Sequence, residues 1–404
     1  MWRTIAGGLF GMSVAWLPHS QAEVIRIPDI VDWYTREASV PIALESKDGG
    51  VLSLATKAFE THGYYRLAPA DEAQYILSLE LLGADAVEVR IRPGSSDRDQ
   101  DQVRRRVTVD ECWKEAVLRA GDFAVTQTSG LPGYFAGKLA FVGERTGNKE
   151  IFTSDLFFQK VQQVTSDGAD SLLPRWSPDG RQLLYTGYFK SGFPDIFLLD
   201  VWTGQRRSFA AYKGTNTGAC FDPSGSRVAM ILSPNGNPEL YIADANGGSL
   251  KRLARTRGIE SSPSWAPDGQ RLVVTSDGIG KPQLYEITVD GGRLQRLPTD
   301  ISGYCAEPVW NPLYPNLIAF TAAEGRRFQV ALYDAQQRKS RFLTQCPEDC
   351  LEPRWIHDGR HLLYTQRTGK SKQLFIIDTE TGKATPLHST SFGPASQCDF
   401  VYIP

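Results

Sequence analysis

Residues suited to acid–base or metal chemistry are scarce in this 404-residue chain. It has 5 histidines, one of them the leader residue His19, and 3 methionines. No GxSxG elbow occurs, which excludes a fused α/β-hydrolase. There is also no P-loop, GxGxxG or HExxH, which removes the usual nucleotide, dinucleotide and zinc-protease signatures. Charge of one sign is lacking too: Lys+Arg is 44 against Asp+Glu 46. That balance argues against a nucleic-acid binder, which carries a basic excess. Long apolar runs are absent except for Ile5 to Leu17, shorter than the roughly 20 residues needed to span a bilayer.

That run belongs to an N-terminal leader. Arg3 precedes it, and Ser20-Gln21-Ala22 places small residues at −3 and −1 of a cut before Glu23. This is the pattern of a secretory signal peptide, so the expected mature chain begins at Glu23, is exported and spans no membrane. Export permits disulfides among Cys112, Cys220, Cys305, Cys346, Cys350 and Cys398, although spacing alone leaves 15 pairings open. Cys346 and Cys350 are the nearest pair and could close a tight loop. A metal reading of their spacing is weak, as is one for His357 and His361, which straddle an Asp-Gly turn. No metal and no cofactor is expected.

What the sequence has in abundance is Gly and Pro, 37 and 24 residues, and an internal repeat. Arg175-Trp176-Ser177-Pro178-Asp179-Gly180 returns as Ser264-Trp265-Ala266-Pro267-Asp268-Gly269, with weaker copies around Phe221, Trp310 and Trp355. The aromatics stand at 176, 221, 265, 310 and 355, steps of 45, 44, 45 and 45, and one further step of 45 reaches Phe400. Three short β-rich runs follow each copy. Four strands per unit of this length define a propeller blade. The Pro-Asp-Gly step is turn chemistry: Pro presets φ, Asp bonds the local backbone and Gly takes positive φ. At the N-terminal end, Lys138 to Phe141, Glu150 to Phe152 and Val161 to Val164 match the second to fourth strands of a unit that lacks its first. The C-terminal Cys398 to Val401 is a first strand lacking the rest. These fragments complete each other, giving six blades with the C-terminal strand innermost in the N-terminal blade.

Residues 23–134 show no repeat. Strand patterns at 40–44, 75–82, 86–91 and 103–109 alternate with two helical faces. One carries Val51, Leu54, Ala55, Ala58 and Phe59; the other carries Trp113, Ala116, Val117, Ala120 and Ala124. The expected organisation is a leader (1–22), a small α/β domain (23–134) and an all-β six-bladed propeller (135–404). Residues preceding the innermost strands should ring one mouth of the channel: Asp170, Thr215, Asn216, Glu260, Ser261, Glu307 and Glu352. They read as a polar, carboxylate-rich docking funnel, in which Glu260, Glu307 and Glu352 are expected to converge.

This order of parts resembles the TolB family, the periplasmic component of the Tol-Pal envelope system. The junction Thr128-Ser129-Gly130-Leu131-Pro132-Gly133-Tyr134-Phe135, followed by Lys138-Leu139-Ala140-Phe141-Val142, is similar to that family's, as is the mature start. The resemblance implies a periplasmic, non-enzymatic, monomeric scaffold with roles in outer-membrane integrity, cell division and protein transport. It implies a Pal-like lipoprotein at the mouth, with Thr215, Glu260, Ser261, Ser262 and Glu307 in the contact set. It also implies a TolA-like partner on Glu23, Val24, Ile25, Arg26 and Ile27. Two further readings stand beside it: an exported propeller hydrolase with channel carboxylates, and a propeller binding another envelope ligand.

Overall fold

The computed structural model describes residues 39–94, 103–110 and 112–404. The first part of it is a five-stranded sheet with two helices. Its elements are β1 (Val40–Glu45), α1 (Gly49–Thr61), β2 (Tyr65–Leu67), β3 (Tyr75–Leu81), β4 (Ala86–Pro93), β5 (Val103–Thr108) and α2 (Trp113–Ser129). The spatial order is β2-β1-β3-β4-β5. β1 runs parallel to both neighbours and the remaining pairs are antiparallel. α1 starts where the Asp48 carboxylate accepts the N–H groups of Gly50 and Val51, and buries the apolar face expected of it. α2 ends at Gly130 in the left-handed conformation (φ 73°). β2 has no counterpart in the sequence reading, since three residues carry no periodicity.

Six four-stranded sheets follow. Blade 1 joins the C-terminal strand Ala395–Val401 to Lys138–Gly143, with Phe400 opposite Leu139 and Val401 opposite Lys138. Blades 2 to 6 begin with innermost strands Ser171–Trp176, Asn216–Phe221, Glu260–Trp265, Cys305–Trp310 and Asp349–Trp355. The ring therefore closes as the terminal fragments require, and closure removes two open strand edges. Trp176, Trp265, Trp310 and Trp355 are all buried at blade ends. In the Pro-Asp-Gly turns the aspartates serve the backbone: Asp179 accepts the N–H of Arg181 and Asp268 that of Gln270. Cys346 and Cys350 form a disulfide.

The segment joining the two parts is packed into both. Tyr134 and Phe135 are fully buried within one apolar cluster that runs from Phe59 and Tyr65 to Phe141, Phe157 and Ile356. The Asp122 carboxylate on α2 accepts the N–H groups of Phe135 (2.5 Å) and Ala136 (3.0 Å) and the hydroxyl of Tyr402 (3.0 Å). Burial nevertheless pushes Asp122 up to about 7. A Cβ on Gly133 would stand 2.3 Å from the Asp122 backbone, so only glycine allows this approach.

Nearby lies a buried ionic knot. His361 Nδ1 is 2.6 Å from Asp358, its Nε2 is 3.5 Å from Asp378, and Arg360 pairs with Asp378 at 2.8 Å. Burial opposes the charge on His361, but the two carboxylates hold it up to about 9. His62, the residue that caps the end of α1, packs against it with ring centroids 4.4 Å apart.

Candidate functional site

Each innermost strand carries a register shift in its middle. The residue three before the aromatic takes positive φ in every blade: Leu173 (54°), Gly218 (64°), Ser262 (51°), Glu307 (54°), Glu352 (59°) and Gln397 (52°). A bulge repeated six times bends the strands and aims one ring of side chains at the channel. Gly218 meets this conformation without strain, whereas the other five hold it with a Cβ.

In blades 5, 6 and 1 the ring is a relay. Glu307 Oε2 accepts the N–H of Glu352 (3.0 Å), Glu352 Oε2 accepts the N–H of Gln397 (3.0 Å), and Gln397 Oε1 accepts the N–H of Leu173 (3.0 Å). Thr321 and Thr365 hydroxyls donate to the two carboxylates at 2.7 Å. Glu307 and Glu352 thus bond adjacent blades together while remaining at the channel wall. Burial, with Glu352 beside it, pushes Glu307 up to about 7.

Glu260 does not join them. It lies five residues before its aromatic, in register with Ser171, Asn216, Cys305, Cys350 and Ala395, all of them buried. The physical reason is repeated: the loop between the second and third strands of the preceding blade folds over this position. Thus Pro194 O accepts the N–H of Asn216, and Pro238 O that of Glu260. Asn216 is spent on Tyr212 and Gly214 of its own loop. Glu260 is bonded to Thr256 and Ser276, its Oε2 is buried without a partner, and burial pushes it up to about 7. The convergent triad expected from sequence is therefore a pair, Glu307 and Glu352, and neither Glu260 nor Asn216 presents a side chain to a visitor. Asp170 is at the rim in an ion pair with Lys149 (2.9 Å). Thr215 gives its N–H to Ser233, and Ser261 and Ser262 are half-buried. Residues 23–27 lie outside the described residues.

Sequence reasoning missed the relay member Gln397 and a deeper ring, one residue before each aromatic. Arg175, Cys220, Ser264, Val309, Arg354 and Asp399 line a common space of about 330 Å³ at the far end of the channel. Counting back from Phe400 as from the tryptophans would have found Gln397 and Asp399. It also missed an apolar rim. Phe193, Tyr212, Ile259 and Ile279 are 66%, 42%, 51% and 61% exposed. All four sit on mouth-end loops of blades 2 to 4. The rim over blades 5, 6 and 1 instead holds ion pairs, Lys149–Asp170, Arg367–Asp349 and Lys372–Glu144.

His62, Asp358 and His361 are the one group among the described residues with metal-like spacing, donor atoms lying within 4.8 Å of one another. Asp358 is already committed to His361 and its backbone, and Arg360 supplies a cation, so the cluster's charges are met internally.

The fold and this end surface define a six-bladed propeller whose mouth carries large exposed apolar side chains on the loops of blades 2 to 4, set among Lys190, Lys213, Arg257 and Lys281, and ion pairs on those of blades 5, 6 and 1. The chain belongs to the TolB β-propeller domain family, whose model matches residues 125–396. Among its relatives, the Tol-Pal system protein TolB of Azoarcus sp. strain BH72 is 30% identical over 214 residues, 48% of each chain. That of Roseobacter denitrificans is 34% identical over 108 residues, 26% of this chain and 24% of the relative. The chain thus spans about half or less of the curated relatives it matches. The crystal structure of TolB from Acinetobacter baumannii superposes with a TM-score of 0.78 at 23% identity, covering 91% of this chain and 98% of that one, a likeness of fold.

Proposed function

We propose that this chain is a non-enzymatic binding protein of the cell envelope, exported to the periplasm after cleavage behind Ala22. It captures a Pal-like lipoprotein on the propeller mouth and a TolA-like protein through Glu23 to Ile27. It acts as a monomer in outer-membrane integrity and cell division. The observation that carries this reading is the apolar arc of Phe193, Tyr212, Ile259 and Ile279. Four large exposed apolar side chains fall on the mouth-end loops of three successive blades, and exposed apolar surface gathered at one end favours a contact surface. The channel carboxylates support binding over hydrolysis: one oxygen of Glu307 and one of Glu352 each accept the next blade's backbone N–H and a threonine hydroxyl, so both side chains are engaged in holding the ring. The test is calorimetry of the mature chain with a purified Pal-like domain. Phe193→Ala with Ile279→Ala should weaken binding by about 2 kcal/mol or more. Unchanged affinity would remove the mouth from the account.

A further inference from the structure

Four mouth-end loops of blades 2 to 4 share one two-part chemistry. They span residues 188–194, 211–215, 253–259 and 277–282. On the first, Lys190 stands three residues before Phe193; on the second, Lys213 directly follows Tyr212. On the third, Arg257 stands two residues before Ile259; on the fourth, Lys281 stands two after Ile279. Each of these side chains is exposed, and none of the four cations is in an ion pair among the described residues. Arg255, on the third loop, is a further exposed cation. The one acid on these loops, Asp277, is half-buried, and its carboxylate accepts the N–H of Ile259 (2.7 Å).

The pattern stops at the next blade. The loop 297–304 carries the exposed Asp300 and no large exposed apolar residue. Over blades 5, 6 and 1 the cations Lys149, Arg367 and Lys372 each have a carboxylate partner. The backbone beneath the apolar residues is also fixed. Phe193 N–H donates to Ser191 Oγ (3.2 Å), and Tyr212 N–H to Asn216 Oδ1 (2.9 Å). Loops ordered before contact lose less freedom on binding.

We propose that this rim docks on an anionic phospholipid surface. In such a contact apolar side chains enter the boundary between headgroups and acyl chains, while neighbouring Lys and Arg meet the lipid phosphates. Each of the four loops supplies one of each kind, and tyrosine is a residue type enriched at membrane interfaces. A protein partner's face requires no such repetition from loop to loop, whereas a surface of uniform negative charge meets every loop with the same chemistry. This goes beyond the capture of a protein partner proposed above, and its test contains no protein partner, so either can fail alone.

The mature chain is sedimented with vesicles of phosphatidylcholine alone and of equal parts phosphatidylcholine and phosphatidylglycerol. Binding to the anionic vesicles at low salt is expected, severalfold weaker at high salt, with little to the neutral ones. Lys213→Glu with Arg257→Glu should lower the partition coefficient about tenfold or more. Phe193→Ala with Ile279→Ala should lower it by a similar factor. Arg181→Glu with Arg293→Glu makes the same charge change in exposed turns at the opposite end of blades 2 and 4, and should leave binding within about twofold of the parent. All these side chains are exposed, so the variants keep the fold. Absence of binding to the anionic vesicles, or equal losses from the two charge reversals, overturns the proposal.

Discussion

The two halves of the mouth are built from the same repeat and do different things. In blades 5, 6 and 1 the bulge position carries Glu307, Glu352 and Gln397, whose side chains bind the next blade's backbone. In blades 2 to 4 it carries Leu173, Gly218 and Ser262, which pass no such bond onward, and the loops above expose Phe193, Tyr212, Ile259 and Ile279. Polar residues at a propeller mouth are thus not in themselves a docking surface. Where a side chain accepts a buried N–H its first role is to hold the ring, and in the function proposed above it is the exposed loops of blades 2 to 4 that meet a partner.

The largest expected effect breaks both halves at once. Deleting residues 396–404 removes the innermost strand of blade 1 and the relay's Gln397, exposing the edge of Lys138–Gly143. Aggregation by light scattering is expected, whereas melting like the full chain would contradict ring closure. Next is the polar half alone. Glu352→Ala leaves the Gln397 N–H with only the Thr365 hydroxyl (3.3 Å) and takes that hydroxyl's acceptor away, and should cost about 1–3 kcal/mol in urea unfolding, while Glu352→Gln retains an acceptor and costs much less.

The smallest effect concerns pH. Glu260, Glu307 and Asp122 all have values raised to about 7 in the fold. Each contributes stability fully present below the unfolded value, near 4, and lost as pH rises through 7. His361, raised to about 9, adds stability present below about 6.5 and lost through 9. His62, His357 and His388, held below their ordinary value by burial, oppose this by adding stability as pH rises through about 6.5. The effect is therefore read as a difference: Glu260→Gln should lose less melting temperature than the parent between about pH 5.5 and 8, by about 2 °C or less. A steeper fall in the variant would contradict the assignment.

The propeller was legible because its repeat is long and its aromatics are evenly spaced; the split blade followed from counting. Both helices of the first part were legible from their apolar faces. The mouth was only partly so. Glu260 resembles Glu307 in type and near-position, but two residues along a bulged strand separate a buried ring from the channel wall. The apolar rim lies in loops outside the repeat, where no periodicity marks it. The role of Tyr134 and Phe135 was hidden for another reason: a Gly- and Pro-containing junction reads as a loop, while burial against Asp122 and Phe59 is a tertiary fact.

The division of the mouth is tested most directly by comparing two variants in one calorimetric experiment with a Pal-like domain. Phe193→Ala with Ile279→Ala changes only the apolar half, and Glu352→Gln only the polar half. The first should lose about 2 kcal/mol or more of binding with an unchanged melting temperature, and the second should bind within about 0.5 kcal/mol of the parent. The opposite pattern, with full affinity in the apolar variant and loss in Glu352→Gln, would contradict the account.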